Sequence, residues 1–154
     1  MKILDACCGS KLFWYDKNNP YTTFMDIRQE QFKIHGKKID VQPDVVADFR
    51  YMPFEDNTFD LVVFDPPHLI WAGPNSVMKA QYGRLDKNSW PEDISKGFDE
   101  CMRVLKPTGT LIFKWSDIQI KVTDVLARIK YRPLFGDQRG ATRWIVFVKG
   151  AKHV

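Results

Sequence analysis

The sequence predicts an α/β fold: a mostly parallel sheet with an antiparallel hairpin at one edge. Short, continuous apolar runs are typical of strands that are buried on both faces of a parallel sheet. Amphipathic helical patterns lie between the later runs. Alternation of Trp144, Val146 and Val148 near the end predicts the edge hairpin. At 154 residues the chain has the size of one compact domain, so we expect residues 1–154 to form a single domain.

Five short apolar runs predict the parallel strands, and four of them end on or close to an aspartate. The predicted strands are Lys2–Ala6, Thr23–Ile27, Val45–Asp48, Leu61–Asp65 and Thr110–Trp115. Open α/β sheets bind ligands beyond the carboxyl ends of their strands, where the strand order reverses. We therefore expect the functional site at the edge that carries Asp5, Asp26, Asp48 and Asp65.

The connections between the first three strands are irregular, and only Gly9–Thr22 separates the first two, so the early helices should be reduced or absent. Ser10 can cap one or two helical turns through Leu12, Phe13 and Trp14, and Asn18-Asn19-Pro20 would stop them. After the second strand, apolar and polar residues alternate on both sides of His35-Gly36-Lys37-Lys38. This pattern predicts a β-hairpin in place of a helix.

The second half of the sequence has clearer helical periodicity. Helices are predicted at Asn75–Tyr82, Glu92–Val104 and Val122–Ile129. The segment Lys106-Pro107-Thr108-Gly109 should end the second of these and turn the chain into the next strand. The edge hairpin should consist of Arg132–Phe135 and Arg143–Lys149.

Composition excludes several classes of protein. The content of 44% hydrophobic and 27% charged residues is that of a globular protein, and no apolar run is long enough to cross a bilayer. The three cysteines have neither disulfide nor metal-ligand spacing, and the start of the chain has no secretory pattern, so we expect a cytoplasmic protein with reduced thiols. The net charge of +4 favours an anionic partner only weakly.

The first strand runs into the small-residue turn Asp5-Ala6-Cys7-Cys8-Gly9-Ser10. Small side chains let a ligand approach the backbone closely. Asp26 follows about twenty residues later, where a carboxylate can accept hydrogen bonds from both hydroxyl groups of a ribose. The pair suggests a nucleoside cofactor, although an ordinary tight turn explains it equally well. A dinucleotide is disfavoured because no Gly-x-Gly-x-x-Gly follows the strand.

Three further segments carry a family resemblance: Asp48-Phe49, the run from Asn57 to His68, and the run from Arg103 to Leu111. With the early turn, they make the sequence resemble the class I S-adenosylmethionine-dependent methyltransferases over nearly its whole length. Asp65-Pro66-Pro67-His68 looks like the Asp-Pro-Pro-aromatic motif of their amino-methylating branch. The resemblance implies a Rossmann-like sheet, S-adenosylmethionine as cofactor and methyl transfer to a nitrogen.

The resemblance also implies roles for individual residues. Asp5, Ala6, Cys7, Cys8, Gly9 and Ser10 would surround the methionine part of the cofactor, and Asp26 would bind its ribose. Ile27 would cover one face of the adenine, with Asp48 and Phe49 beside its amino group, and Asp65 would stand next to the sulfonium and the incoming amine. Phe13 or Trp14 would line the methionine end or belong to the core.

The motif residues Asp65, Pro66, Pro67 and His68 are the predicted catalytic group. An amine conjugated to a ring is a poor nucleophile, so acceptors must orient its lone pair toward the methyl group. The Asp65 carboxylate and the Pro66 carbonyl can each accept one N–H, and two prolines fix that carbonyl. His68 departs from the usual Tyr, Phe or Trp, and it can stack on a base or carry a proton.

The substrate remains open between two enzyme classes and a binding module. The simplest interpretation is an exocyclic amino group of an adenine-like nucleic-acid base, flipped out of its stack. A single domain has little room to read sequence, so an oligomer, a partner or the loop Leu69–Lys87 would supply recognition. The alternatives are a protein amide, a small-molecule amine and a non-catalytic nucleotide-binding module. Lys114, Trp71, Arg84, Arg139 and Arg143 are candidates for the site border, and the chemistry requires no metal.

Overall fold

The computed structural model describes residues 1–150, which form a seven-stranded sheet with helices and a separate hairpin. The sheet order is β5-β2-β1-β6-β7-β9-β8. Its strands are β1 (Ile3–Asp5), β2 (Thr22–Asp26), β5 (Val45–Val46), β6 (Phe59–Phe64), β7 (Leu105–Ser116), β8 (Phe135–Arg139) and β9 (Thr142–Val148). All neighbouring strands from β5 to β7 are parallel to each other. Strand β9 is antiparallel to both of its neighbours, β7 and β8. The predicted mostly parallel sheet with an antiparallel edge hairpin is confirmed.

The strand order reverses between β1 and β6. From β1 the chain builds outward through β2 to β5, and it then returns to add β6 and β7 on the other side of β1. Such a reversal leaves a crevice at the carboxyl ends of the two central strands. Asp5 ends β1 and Asp65 follows β6, so both lie at this point.

A two-stranded sheet of β3 (Glu30–Ile34) and β4 (Lys37–Val41) takes the place of a connecting helix after β2. His35 and Gly36 form its turn, and both have positive φ angles, as a two-residue hairpin turn requires. Ile39 and Val41 are buried, whereas β3 is almost fully exposed. The predicted hairpin between the second and third parallel strands is therefore confirmed.

Three helices lie in the second half: α1 (Val77–Tyr82), α2 (Trp90–Val104) and α3 (Val122–Arg128). In α2 the apolar face includes Ile94, Phe98 and Cys101, all completely buried, and it packs against β6, β7 and α3. Gly97 lets α2 approach the sheet, because a Cβ there would lie only 2.6 Å from the rings of Phe49 and Phe64. All three predicted helices exist, with shifted ends. None of the helices within residues 1–150 has the length and apolar character needed to span a membrane.

Three local predictions are wrong. No helix forms after Ser10: the segment makes successive turns, since Lys11 has a φ of 57° and Trp14 turns inward to bind Asp5. The predicted turn at Lys106–Gly109 lies inside β7 as an irregularity, because β6 pairs with Leu105 and then with Thr110. The first strand of the edge hairpin lies at Phe135–Arg139 and not at Arg132–Phe135, because pairing with β9 fixes its position.

Candidate active site

A cavity of about 550 Å³ opens at the carboxyl ends of β1, β2, β5, β6 and β7. Its walls come from turns that follow four strands, from a residue of β7, and from the segment that links β6 to α2. Most predicted site residues line it, namely Ala6, Cys7, Cys8, Gly9, Ser10, Asp26, Ile27, Asp48, Phe49, Asp65 and Pro67. Asp5, Pro66 and His68 do not line it.

Asp5 is completely buried beneath the turn that follows β1. Its carboxylate accepts hydrogen bonds from the Cys7 backbone N–H at 3.2 Å and from the Trp14 indole N–H at 2.7 Å. Burial nevertheless raises the pKa of Asp5 to about 7, and the nearby charge of Asp65 adds to the rise. Asp5 therefore shapes the turn from below and has no surface in the cavity, in contrast to the contact with cofactor that the resemblance implied.

The Gly9 turn is tied directly to the end of β2. The Gly9 backbone N–H donates to Asp26 Oδ2 at 2.8 Å, and Gly9 has a φ of 50°, a left-handed conformation that favours glycine. A Cβ there would meet the Gln81 carbonyl at 3.4 Å, so the position also limits bulk. The Ser10 hydroxyl oxygen is buried and has no hydrogen-bond partner among the described residues. It is a free polar atom in a turn that lines the cavity.

A guanidinium holds the carboxylate of Asp48, which lines the cavity. Arg50 donates to both Asp48 oxygens, with a shortest distance of 2.7 Å, and it also reaches Asp93 on α2 at 3.0 Å. These hydrogen bonds lower the pKa of Asp48. Sequence reasoning missed Arg50 and Asp93, both of which line the cavity. No motif connects Asp93 to Arg50, 43 positions away, whereas the position of Arg50 two residues after Asp48 was an available signal.

Asp65 faces the cavity from the end of β6 and forms an ion pair with Lys114. Lys114 Nζ on β7 lies 3.4 Å from Asp65 Oδ2, and both residues line the cavity. Burial raises the pKa of Asp65 to about 6, although the Lys114 charge and hydrogen bond oppose the rise. At neutral pH, Asp65 is thus an ionised acceptor with a pKa near the solution pH, which suits exchange of a proton with a bound amine.

His68 is buried behind Pro67 and takes no part in the cavity wall. Its ring lies 5.9 Å from the Tyr82 ring and 6.3 Å, edge-on, from the Trp115 ring. Its Nε2 atom has no hydrogen-bond partner within the described part of the chain. Burial and the Lys114 charge lower the pKa of His68, so the ring is neutral. The sequence left two roles open for His68, stacking on a base and carrying a proton. Stacking on a ligand in this cavity does not fit its buried position.

The segment Gln81–Asp86 closes one side of the cavity. Arg28, which follows β2, anchors the end of α1 by donating to the Ala80 carbonyl at 2.7 Å and the Gln81 carbonyl at 3.0 Å. Arg28 and Tyr82 line the cavity but were not predicted to do so. The position of Arg28 two residues after Asp26 was the only available signal for it.

The remaining candidates divide between the cavity, the core and the surface. Phe13 lines the cavity and Trp14 does not. Arg84 and Lys114 also line it. Trp71 is exposed and Arg143 pairs with Asp117, so neither faces the cavity, and exposed Arg139 on β8 does not line it either. Trp115 is a core residue that is 1% exposed.

Comparison with solved structures identifies the fold. The chain is similar to a protein from Pyrococcus horikoshii, with a TM-score of 0.62 and 17% identity over 96% of this chain and 82% of that chain. It is also similar to TrmN from Thermus thermophilus, with a TM-score of 0.60, 15% identity and coverage of 97% and 44%. A SAM-dependent methyltransferase from Leishmania major gives a TM-score of 0.56, 13% identity and coverage of 94% and 63%.

These similarities concern the fold alone, because the sequence identities are low. The chain spans 63% of the length of the Leishmania protein and 44% of that of TrmN. No protein-family model and no curated protein matches the sequence. The chain has the Rossmann-like fold of the class I methyltransferases, with a cavity at its switch point.

Proposed function

We propose that this protein is an S-adenosylmethionine-dependent N-methyltransferase that acts on an exocyclic amino group of an adenine-like nucleic-acid base. One observation carries the proposal: the ionisable acceptor Asp65 lies in the same cavity as the Gly9 turn and the carboxylates of Asp26 and Asp48. A nucleoside-binding end and a proton-accepting end thus belong to one continuous space. That arrangement fits a donor and an acceptor of a transferred group.

The chemistry of the cavity fits S-adenosylmethionine. Ser10 lines the cavity, its hydroxyl group has no partner within residues 1–150, and it can donate to the cofactor carboxylate beside the glycine turn. One oxygen of Asp26 already accepts from Gly9, and the remaining lone pairs suit ribose hydroxyl groups. Asp48, held by Arg50, offers an ionised acceptor to an adenine amino group. The volume of about 550 Å³ lies within the usual range of small-molecule sites.

The bound cofactor supplies a methyl group on a positively charged sulfur, from which the methyl can pass to a nucleophile. The Asp65 carboxylate accepts one N–H of the substrate amine, whereas Pro66, which is buried and does not line the cavity, takes no acceptor role. This acceptor directs the nitrogen lone pair away from the ring and stabilises the positive charge that grows on nitrogen. The new N–C bond replaces the S–C bond, and the displaced proton passes to Asp65, whose pKa of about 6 permits its release to water.

Transfer of label from tritiated S-adenosylmethionine tests the proposal. The protein is incubated with RNA, DNA, protein and metabolite fractions, and the labelled product is digested and identified. We expect label in nucleic acid, as N-methylated adenine, and loss of that label in Asp65→Ala. The matched control is Asp137→Ala, which removes an exposed carboxylate on β8 and should keep full activity.

Binding measurements separate catalysis from simple binding. Asp65→Ala should still be stabilised against heat by S-adenosylhomocysteine, and a nicotinamide dinucleotide should not stabilise either protein. Label found only in protein would show that the substrate is a protein amide and not a nucleic-acid base. Cofactor binding without label in any fraction would support a binding module and overturn the enzymatic proposal.

A further inference from the structure

A lysine beside Asp65 lies among aromatic rings inside the cavity region. Lys114 Nζ is 5.2 Å from the centroid of the Phe13 ring, 5.5 Å from that of Trp144 and 5.9 Å from that of Tyr82. The Lys114 side chain is 22% exposed, and that of Asp65 is 12% exposed. The ammonium group is therefore held near the reacting centre and is not extended into solvent.

Protein atoms of residues 1–150 engage only part of the hydrogen-bonding capacity of this ammonium group. A lysine has three N–H donors and no acceptor. Within residues 1–150, its one hydrogen bond goes to Asp65 Oδ2 at 3.4 Å. A charge-assisted N–H···O contact is usually about 2.7–2.9 Å, so this one is long. The aromatic faces attract the charge but do not replace hydrogen bonds. The site thus offers free donors next to an acceptor.

We propose that Lys114 is a specificity-determining residue, which donates a hydrogen bond to an acceptor atom adjacent to the amine that is methylated. The inference rests on the proposed function and deepens it. Asp65 and Lys114 present an acceptor and a donor side by side on the cavity wall. The complementary ligand has an N–H donor with an acceptor atom close beside it. Adenine has this arrangement, since N7 and N1 flank the exocyclic amine on its two sides.

The same pair selects against another class of amine. An alkylammonium group, as in a lysine side chain, carries a positive charge and has no adjacent acceptor. It would meet the Lys114 charge, leave the free donors of Lys114 unsatisfied and compete for the same aromatic rings. Lys114 therefore favours amino groups on heterocycles and amides over alkyl amines.

Analogues that remove one acceptor atom test this role. The probes are three short single-stranded oligonucleotides that carry adenine, 1-deazaadenine or 7-deazaadenine at one position. The rate constant kcat/KM and the equilibrium Kd are measured for the wild type, Lys114→Met and Lys114→Arg. We expect the wild type to discriminate against one of the two analogues, on the order of tenfold to a hundredfold in both quantities.

Replacement of the lysine should remove the discrimination and not merely the activity. In Lys114→Met the ratio between adenine and the disfavoured analogue should fall to within about twofold, and Lys114→Arg should restore part of it. If Lys114 had a purely structural role, its replacement would lower kcat/KM for all three probes equally and leave the ratio unchanged. That result, or equal use of all three probes by the wild type, would overturn the inference and leave the proposed function intact. No transfer to adenine in any probe would overturn both.

Discussion

Replacement of Asp65 by asparagine should make the protein more stable while it removes most of its activity. Burial raises the pKa of Asp65 from 3.8 to about 6. Each tenfold change in an ionisation constant corresponds to about 1.4 kcal/mol, so ionised Asp65 costs the folded state about 3 kcal/mol at pH 8. The asparagine side chain has nearly the same shape and no charge, so this cost disappears. Its carbonyl still accepts an N–H, but methyl transfer should fall on the order of a hundredfold or more.

The gain in stability should depend on pH in a direction that follows from the raised pKa. A carboxyl group whose pKa is raised on folding favours the folded state at low pH, and this contribution is lost as the pH rises through the folded value. The stability difference between Asp65→Asn and wild type should therefore be largest at pH 8 and about half as large at pH 5. It should approach zero near pH 3, below the unfolded pKa of 3.8.

Urea denaturation at these three pH values measures the difference in the free energy of unfolding. Asp137→Asn serves as the control, since Asp137 is exposed on β8 and its replacement should change stability by less than about 0.5 kcal/mol. An Asp65→Asn variant that is less stable than wild type at pH 8 would refute the reasoning. So would a difference that does not change between pH 8 and pH 5.

Three further substitutions probe the supports of the site. Gly97→Ala should destabilise the protein by about 1–3 kcal/mol in urea denaturation, because the new methyl group would lie 2.6 Å from Phe49; an unchanged midpoint would contradict this contact. Trp14→Phe should lower the free energy of unfolding by about 1–3 kcal/mol at pH 8 and by less at pH 5, because buried Asp5, with a pKa of about 7, loses its indole donor. A loss of stability that does not depend on pH would show that Trp14 acts through packing alone. Arg28→Met should speed amide hydrogen exchange in α1, and unchanged exchange would show that this arginine does not hold the helix.

Those features of the fold that depend on burial could be predicted from the sequence. The strands that end at Asp5, Asp26 and Phe64 are apolar runs, and the helix that contains Phe98 has a clear apolar face. Elements set by tertiary contacts could not be predicted. The strand at Phe135–Arg139 is exposed throughout and has no apolar alternation, so only its pairing with β9 defines it.

The site divides in the same way. Turn and motif residues could be predicted because their positions follow from strand ends, and most of them line the cavity. Asp5, Pro66 and His68 were assigned to the site from the resemblance, but burial in the structure keeps all three out of the cavity wall. Asp93 and Tyr82 were missed because they reach the cavity through contacts between distant segments. Sequence spacing has no information on such contacts.

A crystal structure of the protein with S-adenosylhomocysteine tests most directly whether this cavity binds the cofactor and directs it to Asp65. We expect the ribose hydroxyl groups at Asp26, the adenine between Ile27 and Phe49, and the sulfur atom beside Asp65. A nucleoside bound elsewhere, or a sulfur atom remote from the end of β6, would contradict both the proposed chemistry and the role of Lys114.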